Sequence, residues 1–342
     1  MRKLLFIAFL FCLVASGKPQ ADEVVPFYAV TEIMTAPDSE YDQVSVIAIN
    51  NHGEIAGNAN GRAFIWRNGN FTLLPLPSNG RYSGAEDIND RGEVVGTCSF
   101  GDWNDKYFFW QNGKIQDLGA APAMLGRITI NSSGQVAFNE STSKGSRVIL
   151  WKNGKKKDLG LGWAWGINNK GQMAGAQFSE MKSPRNGMLD TVWAVIWENG
   201  LAESTGKNDS IAILLNNNRD MVLWNDQRSA TEITRRVFLL KQGKRIQLGE
   251  YKLGGKDKRV VAINAMNDRC QLVGWIGKKG LVLWENEKWH ILQDLIPPRS
   301  GWVLETANDI NESGQIIGNG KLNGKPRAFL LTPISQSAKP KP

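Results

Sequence analysis

Hydrophobic positions along this chain come in short bursts and not at helical spacing. RAFIWRNGNF (62 to 71), KYFFWQNGKI (106 to 115), RVILWKNGKK (147 to 156), WAVIWENGLA (193 to 202), RVFLLKQGKR (236 to 245) and GLVLWENEKW (280 to 289) each carry an apolar run that stops at a turn pair, most often Asn-Gly. Such runs predict buried strands closed by a type I′ hairpin turn, whose two central residues take positive φ. A second element precedes each run: INNHGEIAG (49 to 57), INDRGEVVG (88 to 96), INSSGQVAF (130 to 138), INNKGQMAG (167 to 175), MNDRCQLVG (266 to 274) and INESGQIIG (310 to 318), with a degenerate copy, LNNNRDMVL, at 215 to 223. Its Asn-x-x-Gly predicts a type I turn followed by a left-handed residue, with the Asn side chain accepting from the turn backbone.

The turn residues Asn50, Asn89, Asn131, Asn168, Asn216, Asn267 and Asn311 are 39, 42, 37, 48, 51 and 44 residues apart. Seven units of about 43 residues follow, each predicting four antiparallel strands, a length that suits a propeller blade and exceeds one coil of a β-solenoid. The seventh unit ends at RAFLLTP (327 to 333) without an outer strand of its own, while the strand-like FYAVTEI (27 to 33) precedes the first. The expected fold is all-β: a seven-bladed β-propeller of four-stranded antiparallel blades, its ring closed by the N-terminal strand completing the last blade. An open stack would instead expose a strand edge at each end.

The INxxGxVVG and xAFLWxxGxxxDLG patterns resemble the HAF-repeat family of bacterial extracellular proteins over roughly residues 44 to 332. The resemblance implies an exported propeller and no established enzymatic activity. Where that family carries its His, this chain has Arg62, Lys106, Arg147, Trp193, Arg236, Gly280 and Arg327, and it ends SQSAKPKP where some relatives have a membrane-sorting helix.

The first residues, MRKLLFIAFLFCLVASG, set Arg2 and Lys3 before the apolar run Leu4 to Ala15, which reads as a secretory signal peptide cut after Gly17 or Ala21. The expected organisation is a signal peptide at 1–21, one propeller domain at 22–333 and a polar tail at 334–342. The protein is expected to be secreted or periplasmic, with no integral membrane segment after cleavage. The formal charge of +8 describes a mildly basic chain whose longest basic run is Lys155 to Lys157, so no nucleic-acid partner is expected. Cys98 and Cys270 fall on opposite rims and are not expected to bridge, Cys270 standing at the Gly position of a turn.

Both tight turns of each unit fall on one rim, and the variable connections on the other, where binding is usually built. The longest connection runs from Ala176 to Thr191. Arg62, Phe100, Trp103, Trp163, Trp275 and Trp302 on or beside this rim are the candidate ligand-binding residues, the aromatics suiting a sugar or another flat ligand. An envelope glycan or a protein is the expected partner. The competing expectation is that these aromatics pack under neighbouring loops, as Trp66, Trp110, Trp151, Trp197 and Trp284 are expected to pack between blades. Cross-strand neighbours predict Lys106 with Asp117, Arg147 with Asp158, Arg236 with Gln247 and Arg327 with Glu32. Arg62 has Leu73 in that place, which leaves its charge for solvent, a neighbouring blade or a ligand.

The inner strands carry Glu86, Asp87, Asn264, Asn308 and Asp309, whose oxygens suit Ca²⁺ near the axis, although no ligand spacing repeats and such groups also bond adjacent backbone. Glu86 and Asp87, being adjacent, are expected on opposite sides of a strand. Only two histidines exist, His52 in a hairpin turn and His290 in an outer strand, so neither a hydrolytic triad nor a His-rich zinc site has support. No cofactor other than calcium is suggested. The expected function is a binding or interaction module at the cell envelope or outside the cell. The alternatives are a secreted carbohydrate-active or metal-dependent enzyme using the central funnel, and a structural envelope protein.

Overall fold

A computed structural model describes residues 27–33, 44–101, 104–122, 127–178, 192–206, 209–229, 232–253 and 261–334. The signal peptide, Trp103, most of the longest variable connection and residues 335–342 lie outside them. Strands joined by tight turns account for nearly all of the described chain, and no helix there is long and apolar enough to cross a membrane.

Four-stranded antiparallel blades stand around a central cavity as a propeller. Five sheets are separate blades. The first comprises Val44–Ile49, Ile55–Ala59, Arg62–Arg67 and Asn70–Leu73. The second comprises Tyr82–Ile88, Val94–Ser99, Asp105–Gln111 and Lys114–Ala120. Two more run from Asp209 to Leu253 and from Val261 to Ile291. In the fifth the inner strand is broken into Trp302–Leu304 and Asp309–Ile310, both paired with Ile316–Leu322. That strand pairs with Lys325–Ile334, on which Phe27–Ile33 lies antiparallel, Phe27 opposite Ile334 and Ile33 opposite Ala328.

The sixth sheet corrects the expectation of seven separate blades. It has seven strands, because Lys155–Ile167 runs on as one 13-residue strand. Its first half pairs with Gly145–Lys152, and Gly162 to Ile167 pairs with Met173–Phe178. The spacing explains the fusion: 37 residues between Asn131 and Asn168 is the shortest interval in the chain and leaves no residues for a loop.

The turns obey the predicted chemistry. Asn68-Gly69, Asn112-Gly113, Asn153-Gly154 and Asn199-Gly200 all have positive φ, from 48° to 87°, as type I′ requires. In the other turn class, Cys270 adopts the left-handed conformation of the glycine it replaces, with φ 59°, and its thiol lies 3.2 Å from Asp220 Oδ2. Both Cys98 and Cys270 are buried and free.

The turn asparagines do more than shape their own turns. Asn50 Oδ1 accepts from His52 N and Glu54 N, while Nδ2 donates to Glu54 Oε2 at 2.7 Å and to the next unit's Asn89 carbonyl at 2.9 Å. The same cross-unit bond runs from Asn89 to Asn131, Asn131 to Asn168, Asn168 to Asn216, Asn216 to Asn267, Asn267 to Asn311 and Asn311 to Asn50, at 2.9 to 3.3 Å. Each Nδ2 also donates to the side chain four residues on: Glu54, Glu93, Gln135, Gln172, Asp220, Gln271 or Gln315. All seven asparagines are buried. Every polar atom of these side chains is thereby satisfied, which burial demands.

The apolar core is divided into wedges between neighbouring units. Ala48, Ala63, Ile65 and Leu74 of the first blade meet Ala85, Val94, Phe108 and Trp110 of the second. Trp151, Trp197 and Trp284 occupy similar wedges, whereas Trp66 is only half-buried. Burying each large side chain contributes about 1.5–3 kcal/mol.

Candidate functional site

The inner strands surround a cavity of ≈ 590 Å³. What enters it is set by a β-bulge. The pairing slips by one residue at Ile47, Glu86, Trp165, Ile213 and Asn264, always three residues before the turn Asn. A bulge puts two successive residues against one partner and re-aims the extra side chain. Glu86 and Asp87 therefore both line the cavity, contrary to the alternation expected of a regular strand. Asn264, Asn308 and Asp309 line it too, so all five inner-strand residues singled out by sequence converge there.

Most of their polar atoms are engaged by backbone, of the neighbouring unit or of their own strand. Asp87 Oδ2 accepts from Ile130 N at 2.9 Å and Oδ1 from Ile88 N at 2.8 Å. Asp309 Oδ2 accepts from Ile49 N and Oδ1 from Ile310 N, both at 2.8 Å. Asn264 Nδ2 donates to Ala307 O at 2.8 Å, and Asn308 Nδ2 to Val46 O at 2.6 Å. Glu86 accepts from Ile128 N at 3.3 Å. This arrangement does not fit calcium: the two aspartates act as struts between units, and among the described residues no three His, Cys, Asp or Glu side chains are grouped to hold a metal.

Burial pushes the carboxyls up, Glu86 to about 7, Asp87 to about 6 and Asp309 to about 7, against the pull of their backbone N–H bonds and of the nearby Arg127 guanidinium. Arg127 opens into the same cavity from the residue before Ile128–Ile130. Its guanidinium lies 5.8 Å from the Trp165 ring, which in turn meets Trp224 at 6.0 Å. Ile47, Ile213, Leu214 and Met266 complete an apolar wall. The lining therefore mixes carboxyl, amide and guanidinium groups with indole and aliphatic ones.

Sequence reading missed Arg127, Thr129, Trp165 and Trp224. A count of three residues back from each turn Asn finds Trp165, and a count of four finds Arg127. Trp224, on the second strand of its blade, gives no such signal.

The rim residues do not assemble into one surface. Trp302 is buried core, edge-on to Phe329 with ring centroids 5.8 Å apart, which removes it from ligand contact. Trp163 is half-buried against Phe178 at 4.9 Å. Trp275 is exposed. Phe100 lines a separate pocket of ≈ 370 Å³ between the first two blades with Cys98, Lys106 and Asp117, Lys106 Nζ standing 5.3 Å from its ring. Arg62 donates from Nη2 to Leu74 O at 3.0 Å and has no carboxylate partner among the described residues.

The other cations at the equivalent position are tethered. Lys106 meets Asp117 at 2.6 Å, Arg147 meets Asp158 at 2.5 Å and Arg327 meets Glu32 at 2.7 Å. Arg236 pairs with Glu250 at 3.0 Å and not with Gln247. A register shift between Val237 and Phe238 moves Glu250 opposite it.

No protein family and no curated protein matches the chain, so the HAF-repeat resemblance gains no support from that side. Solved structures do match. The chain is similar to U3-55K, with a TM-score of 0.52 and 12% identity over 89% of this chain and 98% of that one. It is also similar to the β-propeller domain of the Trilobed protease from Pyrococcus furiosus, described as an open velcro topology, with a TM-score of 0.49 and 13% identity over 75% of this chain and 86% of that one. YCF48 from Cyanidioschyzon merolae matches with a TM-score of 0.46 and 12% identity over 89% and 98%. At such identities the likeness is one of fold, and the U3-55K match together with the blades and the repeated turns makes this chain a repeat β-propeller.

Proposed function

We propose that this chain is an exported propeller of the HAF-repeat kind, with seven blade units in a closed ring, serving as a binding module whose ligand reaches the central cavity from the variable rim. Three features support the ring: the turn-to-turn bonds running from Asn50 through Asn311 and back, the two blade units sharing Lys155–Ile167, and the pairing of Phe27–Ile33 with the last blade. The observation that carries the binding reading is the break in the repeat. Turn residues are near-identical from unit to unit, yet the pairs three and two residues earlier are Ile-Ala, Glu-Asp, Ile-Thr, Trp-Gly, Ile-Leu, Asn-Ala and Asn-Asp, no two alike, and a scaffold alone has no use for that variety.

The test is retention on the immobilised mature protein of envelope fractions and of a glycan array. Retention of a defined envelope glycan or protein, lost when Glu86 and Arg127 are replaced together, is expected. Equal retention by wild type and the double variant would overturn the cavity as the site.

Catalysis in the same cavity is a second reading, favoured by Glu86, whose carboxyl burial pushes up to about 7, so that it gains and loses its proton near neutral pH as a general acid requires. Release of products from an oligosaccharide panel, abolished by Glu86→Gln, would establish it. Asp309 is poorly placed as its partner, because both of its oxygens accept backbone N–H bonds.

A further inference from the structure

We propose that the central cavity takes a neutral polyhydroxylated ligand, a saccharide unit, at the corner formed by Glu86, Arg127, Thr129 and Trp165. This rests on the binding reading above and gives its ligand a chemistry. The corner contains polar groups that the protein leaves unanswered. Arg127 is half-buried, and among the described residues its guanidinium makes no hydrogen bond and no ion pair; it touches the Trp165 ring and feels the carboxyls of Glu86, Asp87 and Asp309 only at longer range. Five N–H donors in a fixed fork are therefore available. Trp165 Nε1 and Thr129 Oγ1 are buried atoms without a hydrogen-bond partner. A buried N–H or O–H left unpaired is destabilising, so a ligand that answers these groups recovers that cost.

Acceptors stand across from these donors. Glu86 accepts from Ile128 N and from the Thr97 hydroxyl, which leaves lone pairs on a group with room for about four bonds. Asn264 and Asn308 spend their Nδ2 on backbone carbonyls and keep Oδ1 for the cavity. The mixture selects the ligand class. A cation would satisfy the acceptors and strand the guanidinium. An anion would face three carboxyls. A hydroxyl donates once and accepts twice, so a row of hydroxyls meets both kinds of group without bringing a charge into the site. Ile47, Ile213, Leu214 and Met266 supply an apolar wall for the C–H face of a sugar ring. The volume of ≈ 590 Å³ lies within the range of small-molecule pockets.

Isothermal titration of the mature protein decides this. The probes are glucose, galactose, N-acetylglucosamine and maltose, with alanine as a zwitterion, citrate as an anion and choline as a cation. The proteins are wild type, Arg127→Met, Glu86→Gln and, as a control on an exposed hairpin away from the cavity, Lys114→Ala, each checked for an unchanged circular dichroism spectrum. At least one saccharide is expected to bind, with a tenfold or greater loss in both Arg127→Met and Glu86→Gln and less than a twofold change in Lys114→Ala. Binding of alanine, citrate or choline in place of the saccharides overturns the ligand class. So does silence from every saccharide. Saccharide binding indifferent to both cavity variants overturns the location. Retention of an envelope component in the earlier experiment, with no saccharide heat here, sinks this inference and spares the binding reading; failure of both experiments sinks both.

Discussion

The turn rim and the cavity wall are built by the same inner strands, two or three residues apart, under different constraints. At the rim an Asn stands in all seven units, with Glu, Gln or Asp four residues later. At the wall, three residues before the Asn, stand Ile47, Glu86, Trp165, Ile213, Asn264 and Asn308, while in the third unit Ile128 packs in the core and Arg127 and Thr129 line the cavity. The rim position is uniform because one side chain must accept from two N–H groups of its own turn and donate both to its own unit and to the next, and among side chains of this length only Asn has both atoms. The wall position closes no hydrogen-bond circuit of that kind, so its chemistry is free to differ. The aspartates at 87 and 309 are intermediate cases, wall residues that also tie their units to the next.

Breaking the rim is expected to cost most where a whole strand is involved. Deleting residues 22–35 removes Phe27–Ile33, buries neither Tyr28 nor Ile33 and exposes the edge at Arg327 to Leu331. A loss of about 5 kcal/mol or more, or association of the exposed edge, is expected in melting and size-exclusion measurements. A monomer of unchanged melting temperature would break the closure by this strand. Asn168→Ala comes next. It strands Lys170 N, Gln172 N and the Asn216 carbonyl, for about 3 kcal/mol in urea unfolding. The wall counterpart, Thr129→Ala, removes a buried hydroxyl that makes no hydrogen bond, and should lower stability by no more than about 0.5 kcal/mol, relief of the unpaired O–H offsetting the lost methyl. Equal costs for the two would erase the distinction between rim and wall.

The wall also predicts a pH dependence. With Glu86, Asp87 and Asp309 raised to about 7, 6 and 7, the folded chain binds more protons than the unfolded chain between about pH 4 and pH 7. Stability from these groups is therefore greatest at the acid end of that window and falls as pH rises through it, levelling off above the folded pKa values. Glu86→Gln should flatten the fall by about 1–2 kcal/mol in denaturant titrations at pH 5 and pH 8. A slope unchanged in that variant would place the titrating group elsewhere. A smaller effect than that pH slope belongs to Glu287, which stands at φ 62° in an exposed hairpin turn where most units have Gly. Glu287→Gly should raise stability by up to about 1 kcal/mol, read as a higher unfolding midpoint, and a lower midpoint would count against strain at that turn.

Much of this was legible in the residues. The hairpin pairs, the seven turn asparagines, the pairs Lys106 with Asp117, Arg147 with Asp158 and Arg327 with Glu32, and the convergence of five polar inner-strand residues all followed from patterns within a few positions or from regular antiparallel pairing. Irregularity hid the rest. A bulge turned Glu86 and Asp87 to one side, and a register shift gave Arg236 to Glu250 in place of Gln247. Neither leaves a mark in composition or period, since each depends on how one strand slips against its partner.

The sequence by itself determined the local conformations, because Asn-Gly pairs adopt positive φ at little cost and apolar runs of this length form strands wherever they can be covered. Tertiary structure alone decided that Lys155–Ile167 serves two units and that each turn Asn donates to a carbonyl 37 to 51 residues onward, or back from Asn311 to Asn50. It also decided that Arg127, Trp165 and Glu86 share a corner. Those outcomes join groups from different units, and a hydrogen-bond partner or a cavity wall exists only once the units have packed around a common axis.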